Sequence, residues 1–402
     1  MPDLRGVAVC SLAYTHYASD ARVRRMCEAL AQAGARVDVV CLRADGAPAT
    51  VRVGGVSVHG VGLARHRGNL DGYLGSWVSF AAAAMGRLAV LRTHTRYDVV
   101  HVNTMPDFLV AAALPFRLLG SRVLLDFHDV MPELFEEKFP GRRTGFVRLL
   151  RLVERMAAAG ANQVLAVQEP HRLRLLENRI PASKISVVLN SPDPAIFQPV
   201  ARTEDPDRFR FVYHGTVATR HGLDLAVRAL AIARRQRSRI CLRIMGAGDG
   251  MDEVERIAEA EGLGDAVEIR RGMIPVDRIP GELADANAGV VPMRAGPAMD
   301  ISLPTKLLEF SIMGIPAIAS RTRATTHYFG ANAVLFFEPG DVEGLARQMI
   351  AMHDDEELRG TLQEAAAKVA QEWSWESQRR TYLSLISRLA HRGGVAKLVE
   401  SS

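Results

Sequence analysis

Short apolar runs alternate with amphipathic stretches that stop at glycine, and this alternation is what most restricts the fold. VAVCSL near the start reads as a buried strand, Ala21 to Ala33 as an amphipathic helix closed by Gly34, and RVDVVCL as the next strand, a βαβ unit. The order returns with a strand at Asp98 to Val102, a helix from Phe108 to Leu119 closed by Gly120, and a strand at Arg122 to Asp129. Gln163 to Val167 and Ile185 to Asn190 add two more strands. Such a series predicts a parallel sheet with helices on both faces.

Four prolines between Pro192 and Pro206 then mark a linker. A second series follows: FRFVYHG, a helix over Leu223 to Arg235, RICLRIMG, a helix over Asp252 to Glu261, VEIRRGM and AGVVPMR. Later elements are a helix around Lys306 to Met313, strands PAIAS and AVLFFE, and helices up to about His391. The chain therefore reads as α/β, with two Rossmann-like domains facing an interdomain cleft where ligands meet the carboxyl edges of both sheets. The boundaries are residues 1–198, 199–375 and a C-terminal helix in 376–402 that crosses back to the N-terminal domain.

With 402 residues, of which 48% are hydrophobic, the chain has ample core for two domains and is no disordered or disulfide-stapled protein. Its four cysteines stand apart, without the spacing of a zinc site or a disulfide framework, so no metal is expected. The opening residues make a strand rather than a leader peptide, which predicts a cytoplasmic protein. Leu74 to Leu91 is the most membrane-like stretch, but Arg87 interrupts it, and a packed helix is expected rather than a span. Residues 1–200 hold 24 Lys+Arg against 17 Asp+Glu, leaving 26 against 28 for the remainder. That asymmetry fits an anionic membrane surface beside the N-terminal half, or simply an arginine-rich composition. No helix-turn-helix, zinc-finger or aromatic RNA-binding signature accompanies it, so nucleic acid is not expected as a partner.

The first βα turn, SLAYTHYASDARV, contains no glycine, which argues against a dinucleotide fingerprint in the N-terminal domain. Phosphate recognition fits the second domain better. There Gly215-Thr216 ends a strand, and Gly246 to Gly250 ends the next, although strand-to-helix turns use glycine for structural reasons as well. The densest segment is Asp300 to Ser320, DISLPTKLLEFSIMGIPAIAS. Pro304 stands at a helix start, so amides at Leu303 and Thr305 lack internal acceptors and suit an anion, beside the charge of Lys306. Glu309 lies on nearly the same helical face as Lys306, and a surface ion pair is the plain alternative.

The S-x-P-x-K-x-x-E run from Ser302 to Glu309, followed by Gly-x-Pro, resembles the donor motif of the family-4 glycosyltransferases of GT-B fold. Tyr213-His214-Gly215-Thr216 with Arg220-His221-Gly222, Asp126 to Glu133, and Trp373-Ser-Trp375 extend the resemblance over nearly the whole chain. It implies a retaining transfer from a nucleoside-diphosphate sugar, a UDP- or GDP-sugar, held mainly by the C-terminal domain. Donor binding would fall to Gly215, Thr216, Arg220, Ser302, Leu303, Pro304, Thr305, Lys306 and Glu309. Within that set Glu309 would hold the ribose hydroxyls, while Lys306 and Arg220 would neutralise the diphosphate. His128 would approach the transferred sugar; a histidine bonded to a neighbouring loop is the plain alternative. Asp129 and Glu133 would orient it or meet the acceptor, a saccharide, with a lipid-linked glycan precursor at the inner face of the membrane among the acceptors that fit. No cofactor beyond the donor is implied.

Two positions depart from the family pattern. Ile301 stands where the first glutamate of E-x7-E belongs, with Asp300 as its neighbouring substitute, and Thr216 and His221 stand where arginine and lysine are usual. Asp20 and Arg22 read as a charge pair at a helix start. A nucleotide-sugar epimerase and a noncatalytic sugar-nucleotide-binding protein are the alternatives from other classes.

Overall fold

The computed structural model describes residues 2–63, 70–138, 144–199, 203 and 205–392. The chain divides into two compact units, one of Met1–Asn190 with Glu376–Ser402 and one of Ser191–Trp375. The division falls at Asn190 rather than after residue 198. Ser191 already belongs to the second unit, its hydroxyl donating to the Trp373 carbonyl at 2.5 Å. Of the proline-rich linker, residues 200–202 and 204 lie outside the described residues, as do residues 393–402 of the C-terminal segment.

The first unit holds β1 (Ala8–His16), β2 (Arg36–Leu42), β3 (Thr50–Val53), β4 (Val56–Val61), β5 (Val99–Asn103), β6 (Arg122–Phe127), β7 (Gln163–Ala166) and β8 (Ile185–Val187). They form one sheet in the order β3-β4-β2-β1-β5-β6-β7-β8. All pairs are parallel except β3 with β4, a hairpin turned by Gly54 and Gly55 at φ 57° and 84°. The central strands are buried on both faces, which is why they read as continuous apolar runs. Helices α1 (Ala21–Gln32), α2 (Leu70–Arg92), α3 (Leu114–Leu118), α4 (Met131–Lys138), α5 (Thr144–Gly160) and α6 (Glu169–Glu177) pack against it.

The expected helix from Phe108 to Leu119 is divided into a 3-10 turn, Asp107–Ala113, and α3. Pro115, in the first turn of α3, has no N–H with which to continue the ladder. Asp20 caps α1 by accepting from the Val23 amide at 3.0 Å, and it is not the partner of Arg22. The helix Trp375–Arg392 belongs to this unit: Gln378 Oε1 accepts from the Leu189 amide at 2.9 Å, and the Tyr382 hydroxyl lies 3.0 Å from His101 Nδ1. The expectation of a packed helix at Leu74 to Leu91 is half right. Phe80, Ala84 and Leu88, four residues apart, are fully buried, whereas Leu74, Val78, Met85 and Val90 on the other side are exposed. By length and composition this helix is able to cross a membrane.

The second unit holds β9 (Phe209–Thr216), β10 (Ile240–Ala247), β11 (Val267–Arg271), β12 (Ala288–Val291), β13 (Ala317–Ser320) and β14 (Leu335–Phe337). Its sheet is parallel throughout, in the order β11-β10-β9-β12-β13-β14. Phe211, Leu242, Ile244 and Val290 from the strands pack with Leu230, Leu345 and Met349 from the flanking helices. Each unit is thus a Rossmann-like α/β domain.

Three glycines in the second unit are required by close backbone approach. A Cβ at Gly246 would stand 1.8 Å from the Gly215 carbonyl oxygen, and one at Gly248 would stand 2.0 Å from that of Val217. Gly222 combines φ +66° with a Cβ position 1.9 Å from the Pro292 carbonyl oxygen. The turns after β9 and β10 therefore press backbone on backbone, and the glycines serve that contact. Gly246→Ala is expected to destabilise the second unit by roughly 3 kcal/mol or more, read as a lowered melting temperature.

His171, on α6, is buried, and neither ring nitrogen has a hydrogen-bond partner among the described residues. Burial and then the Arg174 charge hold its imidazole down to about 3, from an ordinary 6.5. The unfolded chain therefore binds a proton that the folded chain refuses. This contribution to stability is fully present above pH 6.5 and is lost as pH falls toward 3. Asp107, a carboxyl raised by burial, works in the opposite sense in the parent and the variant alike. His171→Phe is expected to flatten the decline of the urea midpoint between pH 6.5 and 4.5; an unchanged slope would refute the assignment.

Candidate functional site

In the second unit, β9 carries Tyr213 and His214 on opposite sides and hands the chain to a turn at Gly215, where φ is +104°. The Tyr213 hydroxyl donates to the Thr216 carbonyl at 2.5 Å, and His221 Nδ1 stands 2.8 Å from that same oxygen. Lys306 Nζ donates to the Tyr213 hydroxyl at 3.3 Å and lies 4.4 Å from the ring centroid. The ammonium of the Thr305–Ile312 helix is thereby fixed against the turn that ends β9. Burial first, then the Lys306 charge, lowers the His221 imidazole to about 4, so this ring is neutral at physiological pH. Arg220 stands exposed beside it, while its backbone carbonyl accepts from the Arg294 amide at 3.0 Å.

Pro304 gives the Thr305–Ile312 helix no side-chain cap, so its first amides depend on partners from outside the helix. Glu309 is buried on the first turns of that helix, with Oε2 3.1 Å from His214 Nε2. The approach lacks hydrogen-bond alignment, and both atoms remain without a bonded partner among the described residues. A buried carboxylate with spare acceptor capacity beside a fixed ammonium suits a ligand that brings hydroxyls and a negative charge together.

Ser302 is turned inward: its hydroxyl donates to the Ala298 carbonyl at 2.7 Å. Asp300 is engaged by Arg323, whose amide and Nε donate to its two carboxylate oxygens at 2.9 and 2.5 Å. Ile301 is buried in the core, so the glutamate missing from the motif is replaced by an apolar anchor. The Gly246 to Gly250 turn offers no phosphate cradle at Gly246 or Gly248, because neighbouring carbonyls already fill the space that glycine leaves.

In the first unit, β6 brings Asp126 and His128 together. Asp126 receives Nε and Nη2 of Arg22, each at 2.9 Å, and its Oδ2 lies 3.3 Å from His128 Nε2. The Arg22 charge and the adjacent imidazoles, offsetting burial, keep this carboxyl well below the usual range. Arg22 also donates to the Val188 carbonyl at 2.9 Å. His128 Nε2 is 3.3 Å from Asn103 Oδ1, and its amide donates to Thr104 Oγ1 at 3.2 Å. His128 is half-buried and Asp129 exposed, whereas Glu133 is engaged within the unit. It is buried against Arg174 Nε at 2.7 Å and Arg151 at 3.4 Å, joining α4 to α6 and α5.

Sequence patterns did not single out Arg22, His101, Tyr213, His214 or Tyr382 as site residues. Strand alternation sets His214 opposite Tyr213 on β9, whereas its nearness to Glu309 follows from the packing of the Thr305–Ile312 helix. For Arg22 no local signal existed, since its partner lies 104 positions away.

Residues 19–191 match the family model of the glycosyl transferase 4-like domain, and residues 208–355 that of the glycosyl transferases group 1. A D-inositol 3-phosphate glycosyltransferase of Kribbella flavida is 28% identical, over 88% of this chain and 87% of its own. A GDP-mannose-dependent alpha-(1-6)-phosphatidylinositol monomannoside mannosyltransferase of Mycolicibacterium smegmatis is 32% identical, over 29% of this chain and 31% of its own. Among solved structures, sucrose-phosphate synthase from Thermosynechococcus elongatus superposes with a TM-score of 0.79 at 18% identity, covering 95% of this chain and 99% of the other. A trehalose-6-phosphate structure from E. coli, bound with UDP-2-fluoro glucose, gives 0.73 at 11% identity, covering 94% and 98%. The paired family models, together with two Rossmann-like sheets matching those structures, make this chain a family-4-like glycosyltransferase of GT-B fold.

Proposed function

We propose that this glycosyltransferase, which draws on a nucleotide-sugar donor, moves a hexose with retention from a UDP- or GDP-sugar to a hydroxyl of an envelope glycan or glycolipid precursor. The observation that carries the donor assignment is the pairing of Lys306, fixed on Tyr213, with the unsatisfied Glu309 carboxylate on one short helix. Glu309 accepts from the ribose hydroxyls. Lys306, Arg220 and the leading helix amides at Leu303 and Thr305 face the diphosphate, with Gly215 and Thr216 forming the wall of the pocket. Support for the nucleotide comes from the names of the relatives: one mannosyltransferase is GDP-mannose-dependent, and one solved neighbour holds a UDP sugar.

Negative charge grows on the leaving diphosphate as the anomeric bond breaks, and fixed cations stabilise that charge more in the transition state than in the ground state. The acceptor oxygen attacks on the face the diphosphate leaves, and its proton passes to a leaving phosphate oxygen. His128, oriented by Asp126 and Asn103, contributes a hydrogen bond to the transferred sugar, and Asp129 meets the acceptor. Relatives named for inositol phosphate and phosphatidylinositol acceptors favour a phosphorylated or lipid-linked polyol or saccharide. The enzyme then works in the cytoplasm as a peripheral protein on the inner face of the membrane.

Purified protein incubated with UDP- and GDP-sugars, with and without lipid-linked acceptors, is expected to give a glycosylated product by mass spectrometry only when acceptor is present. Product formed without acceptor would point to epimerisation or hydrolysis instead. Glu309→Gln and Lys306→Ala are each expected to lower kcat/KM by roughly 100-fold or more, and Asp300→Asn, already engaged by Arg323, by only a few-fold. Equal effects at all three positions would reject this donor pocket. Because protein cations meet the diphosphate, no cofactor or metal is required in this reading, and EDTA is expected to leave turnover within about twofold.

A further inference from the structure

Ten of the fifteen large apolar side chains exposed among the described residues lie on α2, on α3 with its capping Leu119, and on α5. Fifteen scattered singly would mean nothing; ten on neighbouring helices define a face. The three helices are joined in a row. The 3-10 turn before α3 packs against both α2 and α5, with the Trp77 and Phe108 rings edge to face at 6.3 Å. Arg92 Nη2 donates to the Leu119 carbonyl at 2.9 Å, tying the end of α2 to α3, and Arg117 Nη1 donates to the Gly160 carbonyl at 2.8 Å, tying α3 to the end of α5. Val78 and Val90 project from α2, Leu118 from α3, and Leu149, Leu152 and Met156 from α5 at helical spacing.

The charge on this row is predominantly positive. Asp71 stands in the first turn of α2, and from Gly72 to Leu119 the acids are Asp98 and Asp107. Asp98 accepts from the Ala8 amide at 2.9 Å, and Asp107 is buried. On α5 the one acid, Glu154, is buried against Arg174. The same helices carry Arg87, Arg92, Arg117, Arg148, Arg151 and Arg155. An apolar face edged by arginine, with no exposed acid from Gly72 to Leu119 or on α5, has the chemistry of a surface that enters the headgroup layer of an anionic bilayer. A second copy of the same face is disfavoured, because a twofold pairing would set arginine against arginine.

We infer that the α2–α3–α5 face is the surface by which the enzyme docks on anionic phospholipid, which rests on the peripheral-membrane reading above and gives it a place on the molecule. The full chain is mixed with vesicles of phosphatidylcholine alone, or of equal parts phosphatidylcholine and phosphatidylglycerol, at low and high salt, and sedimented. Retention is expected on the anionic vesicles at low salt, with release at high salt. The triple variant L118S/M156S/R148E is expected to bind at least about tenfold more weakly, while Met273→Ser, an equally exposed position in the second unit, leaves binding unchanged. Circular dichroism of the triple variant checks that the fold is kept. Retention of the triple variant equal to the parent, no retention of the parent, or a dimer that the variant dissolves without any vesicle binding would each overturn the assignment. Turnover with a detergent-solubilised acceptor is followed on the same preparations. Intact turnover with failed vesicle binding sinks this face alone, and failed turnover with intact binding sinks the donor pocket alone.

Discussion

The turns after β9 and β10 meet backbone to backbone, with the Gly215 carbonyl occupying the space a side chain at residue 246 would need. The end of β9 that this contact fixes is the end that carries Tyr213 and His214. Lys306 of the Thr305–Ile312 helix reaches Tyr213 there, and Glu309 lies beside His214. A larger residue at any of Gly222, Gly246 or Gly248 separates segments whose spacing sets where an ammonium and a carboxylate stand. The glycines resemble a phosphate loop in sequence, but their space is used by the protein itself.

The buried charges around His128 in the first unit and those around Lys306 in the second are handled in contrasting ways. In the first, Asp126 is compensated by a two-pronged Arg22 and by imidazole neighbours, and Arg174 is held between Glu133 and Glu154. These groups cost less to keep buried because each is paired, and their geometry orients His128 and anchors α4. In the second, Glu309 is buried with capacity to spare, and Lys306 rests on an aromatic ring and a hydroxyl rather than on a carboxylate. A cation without a formal counterion is the one that gains most when a diphosphate arrives. The groups beside His128 are engaged with one another, whereas those beside Lys306 suit the proposed donor.

Replacement of the first motif glutamate by Ile301 is accommodated by burial, and Asp300 does not substitute because Arg323 holds both of its oxygens. The neutral His221, standing where the family carries lysine, removes a second formal charge and leaves Lys306 and Arg220 as the cations of this region.

Alternation of apolar runs, glycine stops and the proline-rich linker determined the two parallel sheets, because buried parallel strands and the helices between them impose periods that no other fold class shares. The spacing of Lys306 and Glu309 on one helix was likewise legible, since three residues place two side chains on neighbouring faces whatever surrounds them. The hairpin of β3 and β4 and helices α4 and α6 were not, since the strands are short or exposed and these two helices lack glycine stops. Tertiary structure alone decided the partners: that Arg22 serves Asp126, that Glu133 braces Arg174, and that Tyr382 returns to His101 across 281 positions. A local pattern encodes which way a side chain points along its own element, but the charge it will meet is set by how distant elements pack, and that is where the chemistry of this enzyme is settled.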